Sequence, residues 1–223
     1  MRGRKKLPLE TLQPYLLDPL PDPPRRWTQE DLCALFGRQA PVELEIGFGK
    51  GFFLVCAAQA RPEVNYLGVE IDRGLELYVA GRIAKRGLRN VRLIRADARV
   101  LVRDYLADDV LAAMHVYFPD PWWKKRHAKR RLFSPEFARQ CARVLVPGGA
   151  LHIASDVEDY FGAVCRYLRD AGLEEQPPVA WPEQWSQHVI PAPDMQGYLS
   201  NFARKAALAG RPVRQARFVK LGS

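Results

Sequence analysis

A carboxylate between two prolines, a tryptophan pair and six Lys/Arg within eight residues follow one another in Tyr117–Arg131, YFPDPWWKKRHAKRR. Pro119 and Pro121 fix their own φ and bias Phe118 and Asp120 away from helical geometry. Asp120 is therefore presented on a stiffened loop, directly after the apolar run Leu111–Phe118. Taken singly, a Pro-Asp-Pro turn is punctuation and a charge run is a solvated face. Together they point to chemistry on nucleic acid, with Arg126, Lys129, Arg130 and Arg131 as phosphate contacts. A net charge of +9 and a basic N-terminal Arg2–Lys6 fit the same polyanionic partner.

A second chemical feature is Glu45-Ile-Gly47-Phe-Gly49-Lys-Gly51. Gly47, Gly49 and Gly51 let a backbone turn tightly and approach a ligand at a helix N-terminus. The spacing is neither the G-x-G-x-x-G of dinucleotide sites nor a P-loop, since Lys50 precedes Gly51 and Phe52. Glu70 follows at about the interval of an acid that holds ribose hydroxyls. Asp97, one strand later, is placed to accept from an exocyclic amine. A carboxylate at Glu45 would repel a pyrophosphate and welcome an ammonium or sulfonium, which favours S-adenosylmethionine over a nicotinamide dinucleotide.

These residues need elements to position them. Apolar strand-like runs occur at Val42–Ile46, Tyr66–Ile71, Val91–Ala96, Leu111–Phe118 and Ala150–Ser155. Helical stretches lie between them at Phe52–Ala60, Arg73–Arg86, Arg99–Leu106 and Ser134–Val144, and a further helix carries Val157, Phe161, Val164, Cys165 and Leu168 on one face. Strand alternating with helix predicts a parallel α/β sheet covered on both sides, with ligands outside the strands' carboxyl ends. Glu45, Glu70, Asp97, Asp120 and Asp156 stand at five such ends. Residues 1–40 read as a basic, proline-dotted arm, extended and only partly packed, with a short helix started by Thr28 and stopped by Gly37. Residues 41–223 form the main domain.

The motifs EIGFGKG, GVEID, FPDPWWKKRHAKRR and ASD resemble those of the bacterial tRNA (guanine-N7)-methyltransferases, over roughly residues 42–220. The resemblance implies a class I S-adenosylmethionine-dependent methyltransferase: a Rossmann-like α/β fold with a seven-stranded, mostly parallel sheet and helices on both faces. Two strands would follow the fifth helix, the last antiparallel and near Val213–Lys220. It further implies cofactor binding by Glu45, Glu70, Asp97 and Asp120, with Asp120 catalytic, and substrate contacts from Lys124 and Asp156. The family's Thr-x-(Phe/Tyr)-Glu motif corresponds to Ser200, Asn201, Phe202 and Ala203. Alanine there removes an acceptor for the guanine's donor edge, and Asp156, helped by Ser200, is the nearest substitute.

The four cysteines are scattered without metal-ligand spacing, so no metal is expected and reduced thiols suit a cytoplasmic protein. No signal peptide or membrane-spanning run is read. The expected partner is tRNA. Alternatives are methylation of another RNA or base, a tRNA-binding factor without catalysis, and a nicotinamide oxidoreductase. The sequence leaves oligomeric state and the accepted tRNAs open.

Overall fold

A computed structural model describes residues 7–122, 126, 130–178, 206 and 208–222. The chain order is α1 (Leu9–Leu12), a 3-10 turn (Gln13–Tyr15), α2 (Gln29–Phe36), β1 (Val42–Ile46), α3 (Phe52–Ala60), β2 (Asn65–Glu70) and α4 (Arg73–Ala84). Next come β3 (Val91–Arg95), α5 (Ala98–Val100) running into a π-type turn (Leu101–Tyr105), β4 (Leu111–Tyr117), α6 (Pro135–Val144) and β5 (Leu145–Ser155). The chain continues through α7 (Glu158–Asp170) and β6 (Leu173–Gln176) to β7 (Arg214–Lys220).

The strands form one sheet in the order β3-β2-β1-β4-β5-β7-β6. The first five are parallel, and β7 runs antiparallel to both β5 and β6. Strand order reverses between β1 and β4, so the crevice for ligands opens there, at the carboxyl ends of those two strands. One face of the sheet packs α2, α5, the π-type turn, α6 and α7 through residues such as Leu32, Ala98, Leu101, Phe137 and Leu168; the other packs α1, α3 and α4 through Leu12, Leu54 and Val79. This is the class I methyltransferase architecture expected from the motifs.

Local chemistry sets the boundaries. Thr28 accepts from the Asp31 N–H while Asp31 accepts from the Thr28 N–H, a reciprocal cap, and Gly37 closes α2 in the left-handed region. Ser134 caps α6 with Pro135 at its first position.

Three expectations change. The proline-dotted arm is not simply extended: Leu12 and Leu16 are buried, and Leu17 N–H donates to the Leu93 carbonyl at 2.8 Å, so the arm covers the β3 edge. Arg99–Leu106 is a short helix that widens into a π-type turn rather than one regular helix. The fifth strand begins at Leu145, before the predicted Ala150. Among the described residues no helix is long and apolar enough to cross a membrane.

Candidate active site

The glycine loop joins β1 to α3 at the switch point. Gly47, Gly49 and Gly51 all have positive φ (69°, 50° and 65°), which side-chain-bearing residues rarely adopt. A Cβ on Gly51 would lie 2.5 Å from Val79, so glycine also permits the close approach of α4. A Cβ on Gly47 or Gly49 would meet nothing within 4 Å: these two face open space. Glu70 fixes the loop from the neighbouring strand, accepting from Gly49 N–H at 3.1 Å with one oxygen and from Ile71 N–H at 2.8 Å with the other.

Glu45 lies beneath this loop. It is 4% exposed, and its Oε2 is buried without a partner among the described residues. Burial pushes its pKa up to about 8, opposed by the Leu54 N–H that donates to the carboxyl and reinforced by the charge of Glu70. A buried carboxylate with an unmet oxygen is a costly arrangement unless a ligand completes it. Together the orphaned oxygen and the open glycine cradle fit a cationic ligand, and S-adenosylmethionine carries both a sulfonium and an ammonium.

Asp97 caps α5 by accepting from Arg99 N–H at 2.8 Å, and it pairs with the Arg99 guanidinium at 2.6 Å. That pair outweighs partial burial and holds its pKa below the usual carboxylate range. Its charge is therefore fixed, although the expected exocyclic amine would share it with Arg99.

Asp120 is exposed, just past β4. The loop that carries it is held at both ends. Phe118 has φ 55° and its N–H donates to Ala154 O at 2.8 Å; Trp122 has φ 41°. Phe118 is thus left-handed rather than extended, a more extreme departure than the following proline alone predicts. Arg131 Nε donates to Pro121 O at 2.8 Å and its guanidinium lies 5.5 Å from the Tyr160 ring centroid; the Arg130 guanidinium lies 5.0 Å from that of Trp122. Part of the cationic strip therefore braces the loop. Arg126 is exposed; Lys124 and Lys129 lie outside the described residues.

Asp156 follows β5 and pairs with Arg211 at 2.6 Å. The carboxylate expected to replace the missing Glu therefore already carries a guanidinium. Ser200, Asn201, Phe202 and Ala203 lie outside the described residues. Among the described residues no three His, Cys, Asp or Glu come together as a metal site.

Sequence reasoning missed a buried polar chain beside Glu45. Glu43 accepts from both Nη atoms of Arg61 (2.9 and 2.7 Å), and His115 bridges Glu43 and the Tyr117 hydroxyl at 2.9 Å on each side. Its signal was the polar residues at every second position of two apolar strands, Glu-Leu-Glu and His-Val-Tyr, which place them on one face.

The family model described as "Putative methyltransferase" matches residues 39–195. A tRNA (guanine-N(7)-)-methyltransferase of Bordetella pertussis is 52% identical over 130 residues, 58% of this chain and 51% of that protein. The chain thus spans about half the length of that curated relative. One of the same name from Rhodopirellula baltica is 37% identical over 86% of this chain and 73% of its own. Among solved structures, the 16S rRNA methyltransferase KamB superposes with a TM-score of 0.58 at 16% identity, covering 89% of this chain and 96% of that one, a likeness of fold.

Proposed function

The chain belongs to the tRNA (guanine-N7)-methyltransferase family, and we propose that it transfers a methyl group from S-adenosylmethionine to N7 of a guanine in tRNA, within the variable loop. The observation that carries this reading is the unpartnered Glu45 oxygen under an open glycine cradle, one strand from the Asp120 loop.

Bound S-adenosylmethionine supplies an electrophilic methyl on a sulfonium. Glu45 provides the counter-charge for its cationic amino-acid end, the Gly47–Gly51 backbone makes room for it, and Glu70 and Asp97 take the ribose and base ends. Guanine N7 has a lone pair and needs no base to unmask it, so alignment carries most of the rate. Positive charge would spread into the purine as the N7–methyl bond forms and the sulfur–methyl bond breaks, and the Asp120 carboxylate would offset it. Asp120 is thus a positioning and charge-stabilising group rather than a general base. Trp122 offers a face for a base that has left its stack. Lys124, Arg126, Lys129 and Arg130 contact phosphates. Lys124 and Asp156 serve substrate binding, Asp156 together with Arg211, and the Ser200–Ala203 segment completes the guanine site. The four cysteines are buried and unbridged, which suits a cytoplasmic enzyme.

The test is nucleoside mass spectrometry of unmodified tRNA after incubation with the protein and methyl-labelled S-adenosylmethionine. Label in 7-methylguanosine is expected. Label in another nucleoside would redirect the reading to a different base, and binding of tRNA with no transfer would favour a factor without catalysis.

A further inference from the structure

The Phe118–Trp122 loop holds two bulky residues at positive φ. Such conformations are strained for residues with side chains and persist only where the surroundings over-determine them. On the far side Arg131 and Arg130 hold Pro121 and Trp122. On the near side the loop hangs from Tyr117, the last residue of β4, and Tyr117 ends the buried chain described above.

That chain has a fixed direction. Burial works to raise the pKa of Glu43, but the hydrogen bond from His115 and the charge and paired hydrogen bonds of Arg61 outweigh it and hold the carboxyl ionised, well below its usual range. Burial keeps His115 neutral, with its pKa lowered despite Glu43. A neutral imidazole beside a carboxylate donates from Nε2, which leaves Nδ1 as an acceptor for the Tyr117 hydroxyl. Arg61 orients Glu43, Glu43 sets the His115 tautomer, and His115 takes the Tyr117 proton donor. The rings are confined as well: Phe53 packs 4.3 Å from His115 and 5.2 Å from Tyr117, centroid to centroid, and His152 stacks on His115 at 5.0 Å with 10° between planes.

We propose that the Arg61–Glu43–His115–Tyr117 chain is a positioning device that fixes the Phe118–Trp122 loop, and with it the Asp120 carboxylate, for methyl transfer. The proposal rests on the function read above. His115 and Tyr117 are positioning residues; they act through the loop and not on the substrate.

Tyr117→Phe keeps the ring on Phe53 and removes only the hydroxyl. It is expected to lower kcat about 10-fold to 100-fold, the usual cost of losing an outer orienting partner, with S-adenosylmethionine affinity by calorimetry within about twofold of wild type. Hydrogen exchange at the Phe118, Asp120 and Trp122 amides is expected to accelerate without faster exchange in β1. His115→Gln can still donate to Glu43 and accept from Tyr117, and should recover both kcat and exchange protection relative to His115→Leu. Wild-type exchange and kcat in Tyr117→Phe would overturn the proposal. So would equal behaviour of His115→Gln and His115→Leu, or cofactor affinity falling by the same factor as kcat. Should the wild type methylate no tRNA, the function fails separately, and the exchange comparison still decides the positioning role.

Discussion

Glu43 and Glu45 stand two residues apart on one face of β1, 6% and 4% exposed, and their carboxyls behave oppositely. Glu43 is held at about 2; Glu45 is pushed up to about 8. The helix α3 accounts for the contrast. It returns antiparallel to the strand, so its first turn offers Glu45 one backbone N–H from Leu54, while Arg61 just beyond its end reaches Glu43 with two. The fold satisfies the charge in the middle of the sheet and leaves the one at the ligand crevice unmet. Burial alone therefore does not mark a functional carboxylate; burial without a partner does.

Glu43→Ala has the largest expected effect. It leaves the Arg61 guanidinium and His115 without their shared acceptor, and stability in urea is expected to fall by about 3–5 kcal/mol, toward the lower end because Arg61 partly reaches solvent. Unchanged stability would place Glu43 with the ligand-facing group.

Asp120→Asn tests an exposed carboxylate against the two buried ones. Single-turnover methylation with saturating tRNA is expected to lose about 2–4 kcal/mol of barrier stabilisation while folding stability stays level. An unaltered single-turnover rate would remove Asp120 from the chemistry.

A smaller effect comes from Glu45→Gln without ligand. The Glu45 pKa is raised in the folded protein, so its contribution to stability is full below about 4.5 and is lost as pH rises through about 8. Glutamine removes that slope. The substituted protein should gain about 1–2 kcal/mol relative to wild type at pH 9, or roughly 2–8 °C in melting temperature, and much less at pH 5. A constant difference across that range would contradict the raised pKa.

The mildest test extends the comparison to arginines. Replacing Arg126 and Arg130 with glutamine should make the salt dependence of tRNA binding shallower by about 1.4–1.8 units of slope for two lost phosphate contacts. Arg131→Gln should act chiefly on turnover, because that side chain also holds the Pro121 carbonyl. Salt slopes unchanged from wild type after all three replacements would favour a solvated face.

Much of this was legible in the sequence where one segment carries the whole signal. Val42–Ile46 and Phe52–Ala60 form at the predicted residues because an apolar run ends in glycines that only a turn can use. Glu45 stood out as a carboxylate next to that turn. Glu43 did not, because its meaning depends on His115, seventy-two residues away and brought alongside only by the parallel β1–β4 register. The Asp156–Arg211 pair was hidden for the same reason. The arm was misjudged because prolines announce irregular backbone, whereas the packing of Leu12 and Leu16 depends on the exposed edge of β3. Local punctuation is read from sequence; partnership across the sheet is not.

The unmet Glu45 carboxyl is the proposed counter-charge for the cofactor's cation. Calorimetry of S-adenosylmethionine binding at pH 6.5, in buffers of differing ionisation enthalpy, tests it directly. At that pH Glu45 is mostly protonated, while an α-amino group, with a pKa near 7.7–8.0, is still charged. Binding is expected to release close to one proton, with affinity rising as pH approaches 8; Glu45→Gln should abolish the release and weaken binding by about 10-fold to 100-fold, the worth of a charge-assisted hydrogen bond. Binding by the wild type without proton release, and at an affinity that Glu45→Gln leaves unchanged, would contradict it.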